Sequence, residues 1–274
     1  LRPIVIYLLT AFYILSTPFG GSCQYTTPGS GLTYTLNDLV GLSGGAVVPE
    51  GSGYRVLESI VVAPTDTLRI EGTFDVVLNA AVLLTIEGAL ITGGSVHMKA
   101  NPGEFWAGMR FEASGAGQLQ GTTMDHGGGL RVLTPHFEMH ACTLRYHNTA
   151  TATGGALSIS AGKPRITLCR FVENQSSAIQ TPANIPVAPI IEKCHFSQNN
   201  TSNANRPQIN LGPSGEDTTR ISVCVVLGAS TSPLTGGIAV ASLTGQPCHV
   251  VVEHTSSALN RYGLALLGSN IHSR

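Results

Sequence analysis

The sequence predicts an all-β protein, a single-stranded parallel β-helix (solenoid) of about nine coils. Three observations predict it. First, charge is scarce. The chain holds 15 Lys+Arg and 16 Asp+Glu in 274 residues, 11% in all, where an ordinary globular domain carries about 25%. Long surface helices need charged side chains on their solvent face, and this composition does not supply them. Second, the 42% apolar content is ample for a core, glycine is high at 32, and aromatic residues make up only 6%. Third, Cys142, Cys169, Cys194, Cys224 and Cys248 recur at intervals of 27, 25, 30 and 24 residues. Their flanking residues recur with them, which is the signature of a repeat architecture.

Residues 1–23 precede the repeat. Arg2 leads into the apolar run Ile4 to Leu15, followed by Ser16-Thr17-Pro18 and the small residues Gly20, Gly21 and Ser22. A basic start, a short apolar run and a small-residue exit describe a secretory signal peptide. The run is too short to cross a membrane, which takes about 20 apolar residues, and no later stretch reaches that length. The expected location is therefore secreted or cell-surface. A lipid anchor at Cys23 is a second possibility, although Gly20 replaces the Leu usual in such motifs. Residues 24–53 are rich in Gly and Thr, with one helical turn expected at Leu36-Asn37-Asp38-Leu39-Val40. They read as a cap, because the open end of a coil is an unpaired strand edge.

Residues 54–274 form the solenoid, with a C-terminus that reads as truncated. Short strands are expected over Val56–Val62, Thr67–Gly72 and Leu83–Ile91. The repeat then becomes explicit in Ile166-Thr167-Leu168-Cys169-Arg170-Phe171-Val172-Glu173-Asn174 and Ile191-Glu192-Lys193-Cys194-His195-Phe196-Ser197-Gln198-Asn199, with an earlier copy around Cys142 and looser ones at Cys224 and Cys248. Cys and Phe two residues apart share a strand face. The Asn that follows is expected at a turn, since Asn tolerates left-handed backbone. Each unit is preceded by a short strand: Gly154–Ile159, Ser177–Ile179, Gly236–Val240. A single coil cannot bury its own apolar face, but stacked coils bury a continuous one. At about 4.8 Å per coil, nine coils give a rod roughly 45 Å long. A β-sandwich would instead use longer strands and hairpin turns such as Asn-Gly, a pair this sequence lacks. The cysteines read as a buried stack of small apolar side chains.

Certain residues carry a resemblance. Thr67-Leu68-Arg69-Ile70-Glu71-Gly72, Leu84-Thr85-Ile86-Glu87-Gly88-Ala89-Leu90 and Phe105-Trp106-Ala107-Gly108-Met109-Arg110-Phe111 resemble the rungs of bacterial extracellular right-handed parallel β-helix proteins of pectate-lyase-like architecture. Gly154-Gly155-Ala156-Leu157 with Phe171-Val172-Glu173-Asn174 is similar to the GGAI and FxxN repeats of outer-membrane adhesins. The resemblance spans about residues 25 to 270 and implies an exported, right-handed coil. It also implies a polysaccharide or cell-envelope component as partner, and for some members polysaccharide cleavage.

A net charge of −1 excludes the clustered basic footprint of a nucleic-acid binder. Phosphate loops, CxxC and HExxH motifs are absent from the sequence, and no metal or cofactor is expected. Calcium would enter only for a lyase, whose carboxylates gather around it, whereas Asp38, Asp66, Asp75, Asp125 and Asp217 are scattered. The densest polar cluster is Asp125-His126 with Glu138, His140, Arg145 and His147, followed by Arg170 and Glu173. Should the chain be catalytic, Asp125, His140, Arg145 and Arg170 are the candidates, since such chemistry needs a carboxylate and a basic proton acceptor together. Candidate binding residues are Trp106, Arg170 and His195. Arg170 and His195 each follow an inward Cys and so point outward as one stripe. Trp106, the only tryptophan, is a sugar-stacking candidate or a packed rung residue. The sequons at Asn199 and Asn200 are potential glycan acceptors in a eukaryotic secretory route. The leading expectation is a non-catalytic exported β-helix that binds glycans or envelope partners. The alternatives are a polysaccharide lyase or hydrolase, and an adhesin or spacer.

Overall fold

The computed structural model describes residues 24–148, 154–243, 245–268 and 270–274. The expected signal peptide and Cys23 lie outside the described residues. The chain is a right-handed parallel β-helix of about eight turns, close to the nine expected. It winds through three ten-stranded sheets. Each turn gives one strand to sheet 1, then sheet 2, then sheet 3. Gly108–Phe111, Ala116–Gln120 and Thr123–Asp125 make one turn, and Leu130–Val132, Phe137–His140 and Thr143–Arg145 make the next. The expected strands over Val56–Val62 and Leu83–Ile91 each prove to be two, because a corner falls inside them: Gly53–Val56 then Ser59–Val62, and Leu83–Ile86 then Ala89–Gly94.

Apolar residues alternate along each strand, and parallel in-register pairing turns this alternation into columns. On sheet 1 one interior column runs Ile60, Leu84, Met109, Leu130, Leu157, Ile179, Ile209, Ile238. On sheet 3 another runs Val76, Met98, Met124, Leu144, Phe171, Phe196, Val226. Phe171 and Phe196 lie parallel with centroids 5.1 Å apart. Where two bulky rings converge, a neighbour shrinks. Phe111 and Phe137 meet edge to face at 5.0 Å, and a Cβ on Gly117 would fall 2.6 Å from the Phe137 ring.

The cap expected over residues 24–53 is partly solenoid. Gln24–Thr26 and Thr33–Thr35 already pair in parallel with the first full turn. The cap proper is the helix Leu36–Leu42 and the antiparallel hairpin of Val47–Glu50 with Gly53–Val56. A capping box starts the helix: Asp38 N–H donates to the Thr35 hydroxyl and Thr35 N–H to the Asp38 carboxylate. This satisfies two otherwise orphaned donors, and Leu36 and Leu39 bury the helix against the first turn.

The corners depart from expectation. The left-handed residue between sheets 2 and 3 is Ala141, Leu168, Lys193, Val223 and His254 in successive turns, and between sheets 3 and 1 it is His126, Tyr146, Glu173 and Gln198 in successive turns and then, two turns on, Leu259. Asn174 and Asn199 are therefore not the left-handed residues. They come one residue later and point inward. Asn174 Nδ2 donates to Leu144 O (3.1 Å) and Asn199 Oδ1 (2.7 Å), and its own Oδ1 accepts from His147 N–H (3.0 Å). Asn199 Nδ2 donates to Phe171 O and Gln208 Oε1, and Gln208 Nε2 reaches Asn260 Oδ1 at 2.9 Å. A buried amide ladder thus runs up the corner. Its members cost stability only if left unpaired. Asn200 is also buried and donates to Thr235 Oγ1, so both sequon side chains are committed to the interior rather than offered to a glycan.

The five cysteines among the described residues are free and buried. Cys142, Cys169, Cys194 and Cys224 each follow the left-handed corner between sheets 2 and 3, and each thiol donates to the carbonyl two residues before it. Cys248 breaks the pattern. It opens a sheet 2 strand, Cys248–Glu253, and Thr255 takes the corner position in that turn.

Candidate functional site

The outward residues of the three sheets form the available surface. On sheet 3, one outward column contains Lys99, Asp125 and Arg145, and the neighbouring one Asp75, His97, Thr123, Thr143, Arg170 and His195. Asp125 is 4% exposed because its neighbours fold over it. Arg145 Nε donates to Oδ1 at 2.7 Å and an Arg145 terminal nitrogen to Oδ2 at 2.8 Å, the bidentate geometry guanidinium favours. His97 Nε2 also reaches Oδ2 at 2.7 Å. On its other side His97 Nδ1 lies 3.5 Å from Asp75, which pairs with Lys99. Burial raises the Asp125 carboxyl, but His97 and Arg145 more than offset it and hold the group at about 2. A carboxylate with both oxygens occupied and so low a pKa does not take up protons near neutrality. The network is an anchor across four turns.

Sheet 2 carries a different surface. Its strands alternate inward Leu119, Met139 and Ile166 with outward Gln118, Gln120, Glu138, His140, Arg165 and Thr167. These outward side chains, with Arg69 and Glu71 from an earlier turn, line an open trough of about 510 Å³. A second depression of about 350 Å³ shares Ile91, Gln118 and Glu138 with it and extends it toward His136 and Lys163. The trough crosses five successive turns, from Thr67–Gly72 to Arg165–Thr167. Its charges are matched locally. Arg69 pairs with Glu71 at 2.9 Å, Glu138 is in register with Arg165, and Lys163 pairs with Asp217 at 2.6 Å. His140 Nδ1 is 2.8 Å from the Thr167 hydroxyl.

The four candidate catalytic residues do not form one site. Asp125 and Arg145 are bonded, and Arg170 stands on the same sheet one turn on, in the next column. His140 belongs to sheet 2 and faces the trough, on another side of the rod. Arg170 and His195 are in register and outward, as the repeat implied. Burial, then the Arg170 charge, lowers the His195 imidazole. Trp106 is fully buried and cannot stack on a ligand. Its Nε1 donates to Asp125 O at 2.9 Å, and it occupies the space that a side chain at Gly127 would fill, where an added Cβ would sit 2.6 Å from the indole. The tryptophan thereby takes the place of the amide ladder one turn below His147, whose ring it meets edge-on at 6.5 Å.

The trough residues Gln118, Gln120 and Arg165 were missed because outward polar residues on a strand carry no signal until the turns are stacked. Among the described residues no group of three or more His, Cys, Asp or Glu is arranged to hold a metal ion, and no helix is long and apolar enough to cross a membrane. Fold and site together define a parallel β-helix with a polar trough along one sheet. No family model, curated protein or solved structure matches the chain.

Proposed function

We propose that this chain is an exported, non-catalytic β-helix of pectate-lyase-like architecture that binds a polysaccharide or other cell-envelope component along sheet 2. The trough carries the reading. It presents amide, hydroxyl and charge-matched side chains at the strand spacing of about 4.8 Å, over five turns. A linear polymer of hydroxyl-rich units meets such a ladder with one set of hydrogen bonds per rung. Local charge matching favours a neutral chain over a polyanion, because no cation in the trough lacks a carboxylate neighbour.

A second reading, polysaccharide lyase or hydrolase, draws on the same trough, where Glu138, His140 and Arg165 converge. One experiment separates the two. The purified chain is run through gels holding neutral or uronate polysaccharides, and the same substrates are assayed for reducing-end release with and without calcium. Retention without release, weakened by Gln118→Ala and Gln120→Ala, is the expected result. Release abolished by Glu138→Gln would establish the enzyme, and neither retention nor release would remove both readings.

A further inference from the structure

We propose that the corner between sheets 3 and 1 holds a separate saccharide subsite, a cleft for one pyranose ring built on Phe105, His126 and Tyr146. The aromatic residues of this chain are few, and four of the six phenylalanines among the described residues, Phe111, Phe137, Phe171 and Phe196, are buried. Phe105 instead stands 39% exposed. Its ring lies 5.8 Å from His126, tilted 49°, and His126 lies 5.2 Å from Tyr146, tilted 32°. The three rings belong to successive turns and climb the corner as a stair, because His126 and Tyr146 occupy the recurring left-handed position that throws its side chain outward. They line an open cleft of about 390 Å³, within the range of small-ligand sites.

The other cleft residues supply hydrogen bonding. Glu173, Gln175 and Thr201 line it beside the rings. Gln175 Oε1 is itself buried and has no hydrogen-bond partner among the described residues, so what Gln175 offers a ligand is its amide Nε2, with the Glu173 and Thr201 oxygens beside it. The Arg145 guanidinium, 5.6 Å above the Tyr146 ring, is already committed to Asp125, so the cleft offers no free cation to an anionic ligand. Rings arranged as a stair also do not enclose a quaternary ammonium, which is held by a cage of aromatic faces. A stair of rings next to amide, carboxylate and hydroxyl groups suits a pyranose, whose C–H face is apolar and whose edge is lined with hydroxyls.

The test uses the purified chain with methyl glucoside, methyl galactoside and methyl mannoside, and choline as a cationic comparison. Saturation-transfer NMR reports binding, and emission from Trp106, which packs behind His147 on the cleft floor, reports its place. At least one glycoside is expected to bind and shift the Trp106 emission. Phe105→Ala and Tyr146→Ala are each expected to weaken it about tenfold, the loss of one aromatic contact. The thermal midpoint checks that these variants fold. Arg131→Ala, exposed on sheet 1 and lining neither the cleft nor the trough, should leave glycoside binding unchanged, and loss in Phe105→Ala and Tyr146→Ala but not in Gln118→Ala places the bound sugar in the cleft rather than the trough. The proposal is overturned if no glycoside transfers saturation, if Phe105→Ala and Tyr146→Ala fold and bind as the parent does, or if choline binds in preference to all three sugars.

Discussion

Replacing Asn174 by Ala opens the amide ladder at its middle. The side chain accepts from His147 N–H at 3.0 Å and donates to Leu144 O at 3.1 Å and Asn199 Oδ1 at 2.7 Å. Asn174 is fully buried, so water does not replace what is lost. Asn199 Oδ1 keeps the Asn174 main-chain N–H as a donor at 3.3 Å. His147 N–H and Leu144 O lose the partner they had. At about 1–3 kcal/mol per orphaned buried group, the two groups together should cost about 2–6 kcal/mol. Two assays read it: urea denaturation followed by circular dichroism, and hydrogen exchange at the His147 amide. The second is local, which matters because long repeat arrays lose two-state behaviour. Asn174→Asp sharpens the test. It keeps the acceptor for His147 N–H but buries a charge, so at neutral pH it should be the less stable of the two variants. Burial raises the folded-state pKa of the new carboxyl above its unfolded value of about 3.9. Its stability should therefore be highest in acid and fall as pH rises through that range. A cost under about 1 kcal/mol for Asn174→Ala, with His147 protection unchanged, would refute the ladder as a source of stability.

Asp125 gives the opposite pH dependence. Its folded pKa of about 2 lies below the usual aspartate value of 3.8, so its contribution, on the order of 2 kcal/mol, is present above about pH 4 and lost as pH falls toward 2. Acid titration of stability should show this limb in the parent and a much shallower one in Asp125→Asn. Cys142, Cys169, Cys194, Cys224 and Cys248 are buried, so Ellman's reagent should leave all five unmodified in the native state and titrate them in denaturant. Rapid native labelling of any of them would contradict the packed corner. Gly117→Ala places a Cβ 2.6 Å from Phe137 and 2.7 Å from Phe111, and should destabilise by about 1–3 kcal/mol. A variant as stable as the parent in urea would mean the rings have room to move aside.

The solenoid was legible because its cause is local and repeated. Alternating apolar residues at a common interval near Cys142, Cys169, Cys194 and Cys224 specify strands that stack only as turns, and the outward stripe of Arg170 and His195 follows from the same alternation. Cys248 misled because chemical identity at a near-repeat spacing does not fix phase. Its strand is longer, and the corner falls seven residues later at Thr255.

The sequence by itself determined the interior: which residues face the core, that the coils repeat, and that charge would be sparse outside. The tertiary structure decided the corners and the sites. Val223, Leu168 and Lys193 adopt left-handed backbone that their side chains disfavour. Their N–H groups are held by carbonyls of the next turn, Glu253, Glu192 and Ser222, and a bond set by stacking outweighs a residue's own preference. The same stacking brings Glu138 beside Arg165 across 27 residues, buries Asp125 between His97 and Arg145, and aligns Phe105, His126 and Tyr146 along one edge. Such groupings depend on the register between turns, and register is a property of the assembled rod rather than of any segment within it.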